Sequence, residues 1–256
     1  MSLLICPFLI EIRYGGIKVA IIQFDWVVNG LPVQVQYDQK DIDNLWKPWI
    51  QSLEAKNGRT IVFLAAPPGA GKSTLLLLLE QLSNRVQGLG MDGFHYSNHY
   101  LETHTTQRKG KSLLLKSIKG GPETFDVDGL FEKISQMKSQ DVLWPIYDRT
   151  IHDVIKDQIH VTKDIIIIEG NYLLLDQEPW NQLYPLCDTS VLLHEDLKVL
   201  KQRLIQRKIQ GGLTKEEAIK FYEKSDKYNV NMVCAHSQSA NLDVYIKNGR
   251  FYRIGQ

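Results

Sequence analysis

Read for polarity alone, the chain changes its period twice. In IKVAIIQFDWVVNGLPVQVQYD (17–38) apolar and polar positions alternate around Asn29-Gly30. Alternation sends successive side chains to opposite faces of a strand, and Asn and Gly both tolerate the positive φ of a two-residue turn, so a β-hairpin is predicted. In DIDNLWKPWIQSLEA the apolar residues Ile42, Leu45, Trp46, Trp49, Ile50 and Leu53 recur at three- and four-residue spacing, which predicts one apolar helix face. After KNGR the alternation gives way to continuous apolar runs, TIVFLAA (60–66), DIIIIEGNYLLL (164–175) and TSVLLHE (189–195), the composition of strands buried on both faces. Between them GKSTLLLLLEQLSNRV and DLKVLKQRLIQRKIQ read as helices. This order predicts an α/β fold, a doubly wound parallel sheet with flanking helices, in which 17–58 form a β-hairpin and helix appendage and 59–256 the main domain. A C-terminal hairpin is expected at Asn248-Gly249 in NLDVYIKNGRFYRI. The opening MSLLICPFLI is apolar but too short to span a bilayer, and it lacks a charged leader or a small-residue cleavage site. Residues 1–16 are expected to be an irregular extension, with the ordered protein beginning near Ile17.

Composition then narrows the class. Of 256 residues 43% are hydrophobic and 23% charged, enough for a sizeable core. A formal net charge of +1 offers no broad basic field, so nucleic acid and membrane are not expected partners. A small molecule is, and a homodimer is compatible with the sequence. Cys6, Cys187 and Cys234 are odd in number and without C-x-x-C spacing, which favours a reducing cytoplasm over a disulfide framework.

The candidate chemistry starts at APPGAGKST (66–74), a phosphate-binding loop between a buried strand and a helix. A helix N-terminus and successive backbone N–H groups together form an anion site. The pattern G-x-x-x-x-G-K-[ST] has Ala66 in place of its first glycine, at a strand end where a methyl is tolerated if φ stays negative. Pro68, Gly69, Ala70 and Gly71 form the expected nucleotide-binding loop. Lys72 is placed to reach the β- and γ-phosphates, Ser73 to ligate Mg²⁺ and Thr74 to hold the α-phosphate. The lone D-x-x-G match, Asp126 to Gly129, opens a helical stretch, and no N-K-x-D is present to read guanine, so a regulatory GTPase is not expected.

Two carboxylates follow at predicted strand ends, where ligands collect in a parallel sheet. Asp92, in VQGLGMDGF, is positioned as a proton acceptor for an attacking hydroxyl, and Glu169 as a ligand for Mg²⁺, directly or through water. The helix around Arg203, Arg207 and Lys208, ending at Gly211-Gly212, suits a lid that clamps phosphate. TKEE (214–217) is a capping box opening the next helix. His95, His99 and His104 lack a carboxylate partner and are not expected to hold metal; His95 and Asn98 are preferred as groups of an acceptor pocket. The five tryptophans are expected in packing.

The ordered motifs APPGAGKST, MDGFHYSN, KGGPETFDVDGL, PIYDRTIHD, IIIIEGNYLLL, RLIQRKIQGGLT and SDKYNVNMV resemble those of the uridine kinase, phosphoribulokinase and bacterial pantothenate kinase superfamily of P-loop kinases. The resemblance spans residues 59 to 243 and is nearest the branch that includes the kinase associated with fructose uptake. It implies transfer of the ATP γ-phosphoryl group to a hydroxyl of a nucleoside, pantothenate-like or sugar substrate. Asp92 matches the catalytic aspartate, Glu169 the second acidic residue, and Arg203 and Arg207 the lid arginines. By the same resemblance Tyr147, Asp148, Arg149 and His152 line the acceptor pocket. Asp226 and Asn229 match a motif without a derived role. The chain departs at Ala66, at an insertion-like THTTQRKGKSLLLKSI, and in its first sixteen residues. An ATP-binding regulatory module and an NTPase that hydrolyses to water remain the alternatives.

Overall fold

The computed structural model describes residues 8–14, 17–28, 30–108 and 110–254. In chain order the strands are β1 (Phe8–Tyr14), β2 (Ile17–Val28), β3 (Leu31–Asp38), β4 (Thr60–Ala65), β5 (Val86–Gly90), β6 (Thr105–Arg108), β7 (Lys111–Leu114), β8 (Val142–Asp148), β9 (Asp153–Val161), β10 (Ile165–Gly170), β11 (Thr189–Glu195), β12 (Leu242–Lys247) and β13 (Arg250–Arg253). The central sheet has the order β13-β12-β11-β4-β10-β5 and is parallel except for β13, which returns antiparallel beside β12. That return is the expected C-terminal hairpin: Asn248 and Gly249 have φ of 52° and 74°, as a two-residue turn with both central residues left-handed requires.

The sheet separates two cores, because alternate residues of a strand face opposite sides. On β4, Val62 and Leu64 join one core, while Ile61, Phe63 and Ala65 join the other. Ile165 and Ile167 of β10 divide in the same way from Ile166 and Ile168. The first core is closed by Leu75, Leu78 and Leu79 of helix Lys72–Leu82 and by Leu200 and Leu204 of helix Leu197–Gln210. The second is closed by Leu130, Ile134 and Met137 of helix Val127–Met137 with Trp144, Tyr172 and Trp180. Helices on both faces make the sheet doubly wound, as its continuous apolar strands foretell.

The N-terminal hairpin pairs Val28 with Leu31 across the expected two-residue turn. Its Phe24, Trp26 and Tyr37 pack into the first core beside Trp46, Trp49 and Ile50. Tyr37 stacks on Phe251, with ring centroids 5.9 Å apart, and Trp46 meets the same ring edge-on. The hairpin and its helix are thus continuous with the main core. The irregular extension expected at 1–16 differs from the structure: Phe8–Tyr14 is a strand, antiparallel to β2 with Phe8 opposite Gln23 and Tyr14 opposite Ile17. The physical signal is the set of apolar positions 8, 10 and 12 interleaved with Glu11 and Arg13, a period-two pattern that the apolar opening hides. The remaining residues of that extension lie outside those described.

The insertion-like segment is also ordered. β6 and β7 form a separate two-stranded hairpin, and Arg108 fixes it by a two-pronged ion pair to Glu123 and by stacking 3.9 Å over the Tyr228 ring. β8 and β9 form another antiparallel pair beside the end of β5. No helix among the described residues is long and apolar enough to cross a membrane.

Candidate active site

The loop after β4 has the backbone its sequence predicts. Ala66 is fully buried and keeps a negative φ, while Gly69 and Gly71 take φ of 85° and 95°. A side chain at Gly69 would also meet Leu204 and the carbonyl of Leu200, so this turn and helix Leu197–Gln210 are in close approach. Helix Lys72–Leu82 begins directly after the turn, its first amides facing the loop.

Lys72 is 7% exposed and donates to Asn171 Oδ1 at 2.6 Å and to the Ala66 carbonyl at 3.1 Å. Burial pulls its ammonium below the usual lysine range, against the raising fields of Glu169 and Asp92. Ser73 Oγ donates to Glu169 Oε1 at 2.7 Å. The Glu169 carboxyl is raised by burial, with Lys72 working the other way. A half-buried carboxylate beside a hydroxyl is a donor set that fits a hard cation, and it gains most when that cation arrives with phosphate. Among the described residues no three His, Cys, Asp or Glu side chains cluster as a metal site. His95 instead stacks on Phe125 at 3.8 Å, and His104 on Tyr100 at 3.6 Å.

A cleft of about 920 Å³ runs from this loop across the ends of β10 and β5. It brings together Pro68, Gly69, Gly71, Lys72, Ser73, Thr74, Asp92 and Glu169 with Arg203 and Arg207. Asp92 lies in the one-turn helix Met91–Phe94 that follows β5, with its side chain 46% exposed and Arg149 Nη2 at 3.4 Å. Gly93 is needed beside it because any Cβ would collide with the Pro145 carbonyl of β8. Tyr147 on β8, Arg149 and His152 in the β8–β9 turn, and His95 all line the end of the cleft near Asp92. Burial lowers the His95 pKa, partly offset by Asp92.

Arg203 and Arg207 reach the cleft from one face of helix Leu197–Gln210. Arg203 donates to the Gly69 carbonyl at 3.3 Å and pairs with buried Glu195 at 3.2 Å. Burial lowers the Arg207 pKa, against Asp226. Ser73, Glu169, Lys72 and Asp92 are therefore assembled at one sheet edge, with two guanidinium groups over them.

Two expected acceptor groups stand apart from the cleft. Asn98 gives its amide to the His152 carbonyl at 2.8 Å and accepts from Lys116 and Lys119, each at 2.8 Å, so it braces the pocket wall. Asp148 caps its own turn, accepting from the Thr150 amide at 2.7 Å and the Ile151 amide at 3.2 Å. A local backbone N–H competes well for a short carboxylate. The same chemistry explains the D-x-x-G match: Asp126 caps helix Val127–Met137 through the Gly129 amide at 3.0 Å.

Other cleft residues have no role that the sequence assigns. Lys119 lies 4.8 Å over the Tyr147 ring, and Asn171 holds Lys72. Asp226 lines the cleft at 8% exposure with Oδ2 buried and without a hydrogen-bond partner. It closes a π-helical turn, Tyr222–Asp226, a kind of distortion that sequence periodicity does not register. Asn229, one turn on, donates to the Gly120 carbonyl at 3.2 Å.

Comparisons with known proteins bear on the fold and the family. The chain is 43% identical over 242 residues to "Uncharacterized protein YggC" of Escherichia coli K12, covering 90% of this chain and 98% of that one. A solved structure, "putative fructose transport system kinase" from Silicibacter sp. TM1040, superposes with a TM-score of 0.69 at 32% identity, covering 77% of this chain and 98% of the other. D-glycerate 3-kinase from Cryptococcus neoformans shares the fold, with a TM-score of 0.61 at 15% identity over 78% of this chain and 93% of that one. The phosphoribulokinase / uridine kinase family matches residues 61–250, the stretch that carries the loop, both carboxylates and both arginines, and the chain belongs to that family of P-loop kinases.

Proposed function

We propose that the protein is an ATP-dependent small-molecule kinase that transfers the γ-phosphoryl group to an alcohol hydroxyl. The observation that carries this reading is the meeting of Asp92 and Glu169 with the phosphate loop in one cleft. Asp92 orients the acceptor hydroxyl and takes its proton while the hydroxyl oxygen forms the new bond to phosphorus. The bond from phosphorus to the β–γ bridging oxygen breaks, and ADP leaves with that oxygen. Lys72, the loop amides, Arg203 and Arg207 offset the charge that spreads over the phosphoryl oxygens. Ser73 and Glu169 would hold Mg²⁺, which would offset phosphate charge when bound.

The acceptor end is polar and partly aromatic, with His95, Lys119, Tyr147, Arg149 and His152 around it. Such a wall suits a polyhydroxylated or anionic alcohol, so sugars, nucleosides and pantothenate-like alcohols are the candidates, and the likeness to a "putative fructose transport system kinase" supports including sugars. Cys187 and Cys234 are free thiols, in keeping with a cytoplasmic setting.

The test is an ADP-release screen across nucleosides, pantothenate-like alcohols and sugars. Turnover that depends on one acceptor class is the expected result. Phosphate release at the same rate without acceptor would make the protein a hydrolase, and ATP binding without turnover on any acceptor would make it a regulatory module.

A further inference from the structure

The family match covers residues 61–250, and the β2–β3 hairpin lies wholly outside it, yet the tip of that hairpin reaches the cleft. Val28, Leu31 and Val33 line the same cavity as Gly69, Gly71 and Thr74. These apolar residues share the inward face of the hairpin, since Leu31, Val33 and Val35 alternate with exposed Pro32, Gln34 and Gln36. Below them Tyr37 is buried beside Thr74 and Arg203, and both of these touch or line the phosphate loop. The hairpin is held in place by Arg250, which bonds Asp41 and pairs with Asp38 at its foot.

Sheet order determines which part of a ligand meets this wall. The phosphate loop follows β4, and Asp92 follows β5, on the far side of β10. At about 4.8 Å per strand, Asp92 sits roughly two strand spacings to one side of the loop. A γ-phosphate presented to Asp92 leaves the rest of the nucleotide pointing the opposite way, toward β11 and β12. That is the side on which the hairpin packs, through Tyr37 on Phe251 next to the β12–β13 turn. A nucleobase is the one apolar portion of a nucleoside triphosphate, and the hairpin tip is an apolar surface at the corresponding end of the cleft. The same cavity is lined by Gln202 and Gln206, one turn apart on helix Leu197–Gln210, whose amides both donate and accept.

We propose that the β2–β3 hairpin is the base-binding wall of the nucleotide site, with Val28, Leu31 and Val33 packing on the nucleobase. This rests on the kinase reading above. The hairpin, which lies before the matched residues 61–250, is thereby a functional part of the nucleotide site.

The test compares MgATP with magnesium tripolyphosphate, which carries the same phosphate chain and no base. Wild type, Leu31→Ser, Leu31→Ser with Val33→Ser, and the conservative Leu31→Ile are titrated by calorimetry with both ligands. The substitutions are neutral, so they do not repel phosphate. The double serine variant is expected to bind MgATP roughly tenfold more weakly while tripolyphosphate affinity stays within about twofold, and Leu31→Ile to retain ATP affinity. Unchanged tripolyphosphate binding also certifies that the variant is folded. ATP affinity that is unchanged, or that falls in step with tripolyphosphate, overturns the base wall and leaves the kinase reading standing. A wild-type protein that binds neither ligand overturns the kinase reading itself.

Discussion

Arg250→Ala tests how firmly the N-terminal hairpin belongs to the main body. Arg250 Nε and Nη2 donate to Asp41 at 2.8 and 2.7 Å, and Nη1 lies 2.9 Å from Asp38 Oδ2. The two carboxylates are buried, at 1% and 7% side-chain exposure, whereas Arg250 is 36% exposed. Breaking a buried pair by removing one partner costs about 3–5 kcal/mol, because a charge is left in the interior uncompensated. Two features reduce that figure. Asp38 keeps the Lys40 amide and Asp41 keeps the Phe251 amide, and water already reaches the guanidinium. A loss of roughly 2–3 kcal/mol is therefore expected, which for a chain of this size lowers the melting temperature by about 5–10 °C. The assay is thermal melting followed by circular dichroism, on Arg250→Ala, Asp41→Asn and the double variant. The double variant should lose clearly less than the sum of the singles, and Arg250→Lys should fall between wild type and Arg250→Ala because it keeps charge without the two-pronged geometry. Additive losses, or an Arg250→Ala melt within about 1 °C of wild type, would refute the coupling of Asp38 and Asp41 to the C-terminal hairpin.

Three further outcomes follow from the site. Lys72→Ala should weaken MgATP binding by roughly 10- to 100-fold, the loss of one or two charge-assisted hydrogen bonds, and equal ATP-dependent stabilisation of both proteins would count against the loop. Asp92→Asn should lower kcat by roughly 10²–10⁴-fold on the acceptor found by the screen while leaving MgATP affinity nearly unchanged; turnover within a few-fold of wild type would sink the proton-acceptor role. Burial holds His95 below its ordinary value of 6.5, so the unfolded chain takes up that proton first on acidification. Its contribution to stability is present above the unfolded value and is lost as pH falls toward the lowered folded one, so His95→Phe should flatten the loss of melting temperature between about pH 7.5 and 5.5, and an unchanged slope would reject this.

Much of the architecture was legible because it depends on local chemistry. Continuous apolar runs announce strands covered on both faces, and Gly69 and Gly71 announce a left-handed turn before a helix whatever the rest of the molecule does. Asn248-Gly249 likewise determines its turn alone. That Lys72, Ser73, Asp92 and Glu169 gather in one cleft was legible because each stands at a strand end or in the loop, positions that a parallel sheet brings to one edge. The strand Phe8–Tyr14 is less legible, since an edge strand is defined by pairing with β2 and its short alternating pattern is blurred by the apolar residues before it. Tertiary structure alone decides the remaining matters. Asn98 and Asp148 are plausible pocket groups by residue type, but neighbouring amides, lysines and carbonyls in space claim them for bracing and capping. Asp226 and Asn171 enter the site from segments with no phosphate motif, and Val28, Leu31 and Val33 enter it from a hairpin whose alternation says only that one face is covered. A sequence pattern records which side of an element is buried, because burial follows apolarity along one chain; which cleft that side faces is determined by how distant elements pack, as Phe251 and Arg250, more than two hundred residues after the hairpin, hold it over the loop in no local code.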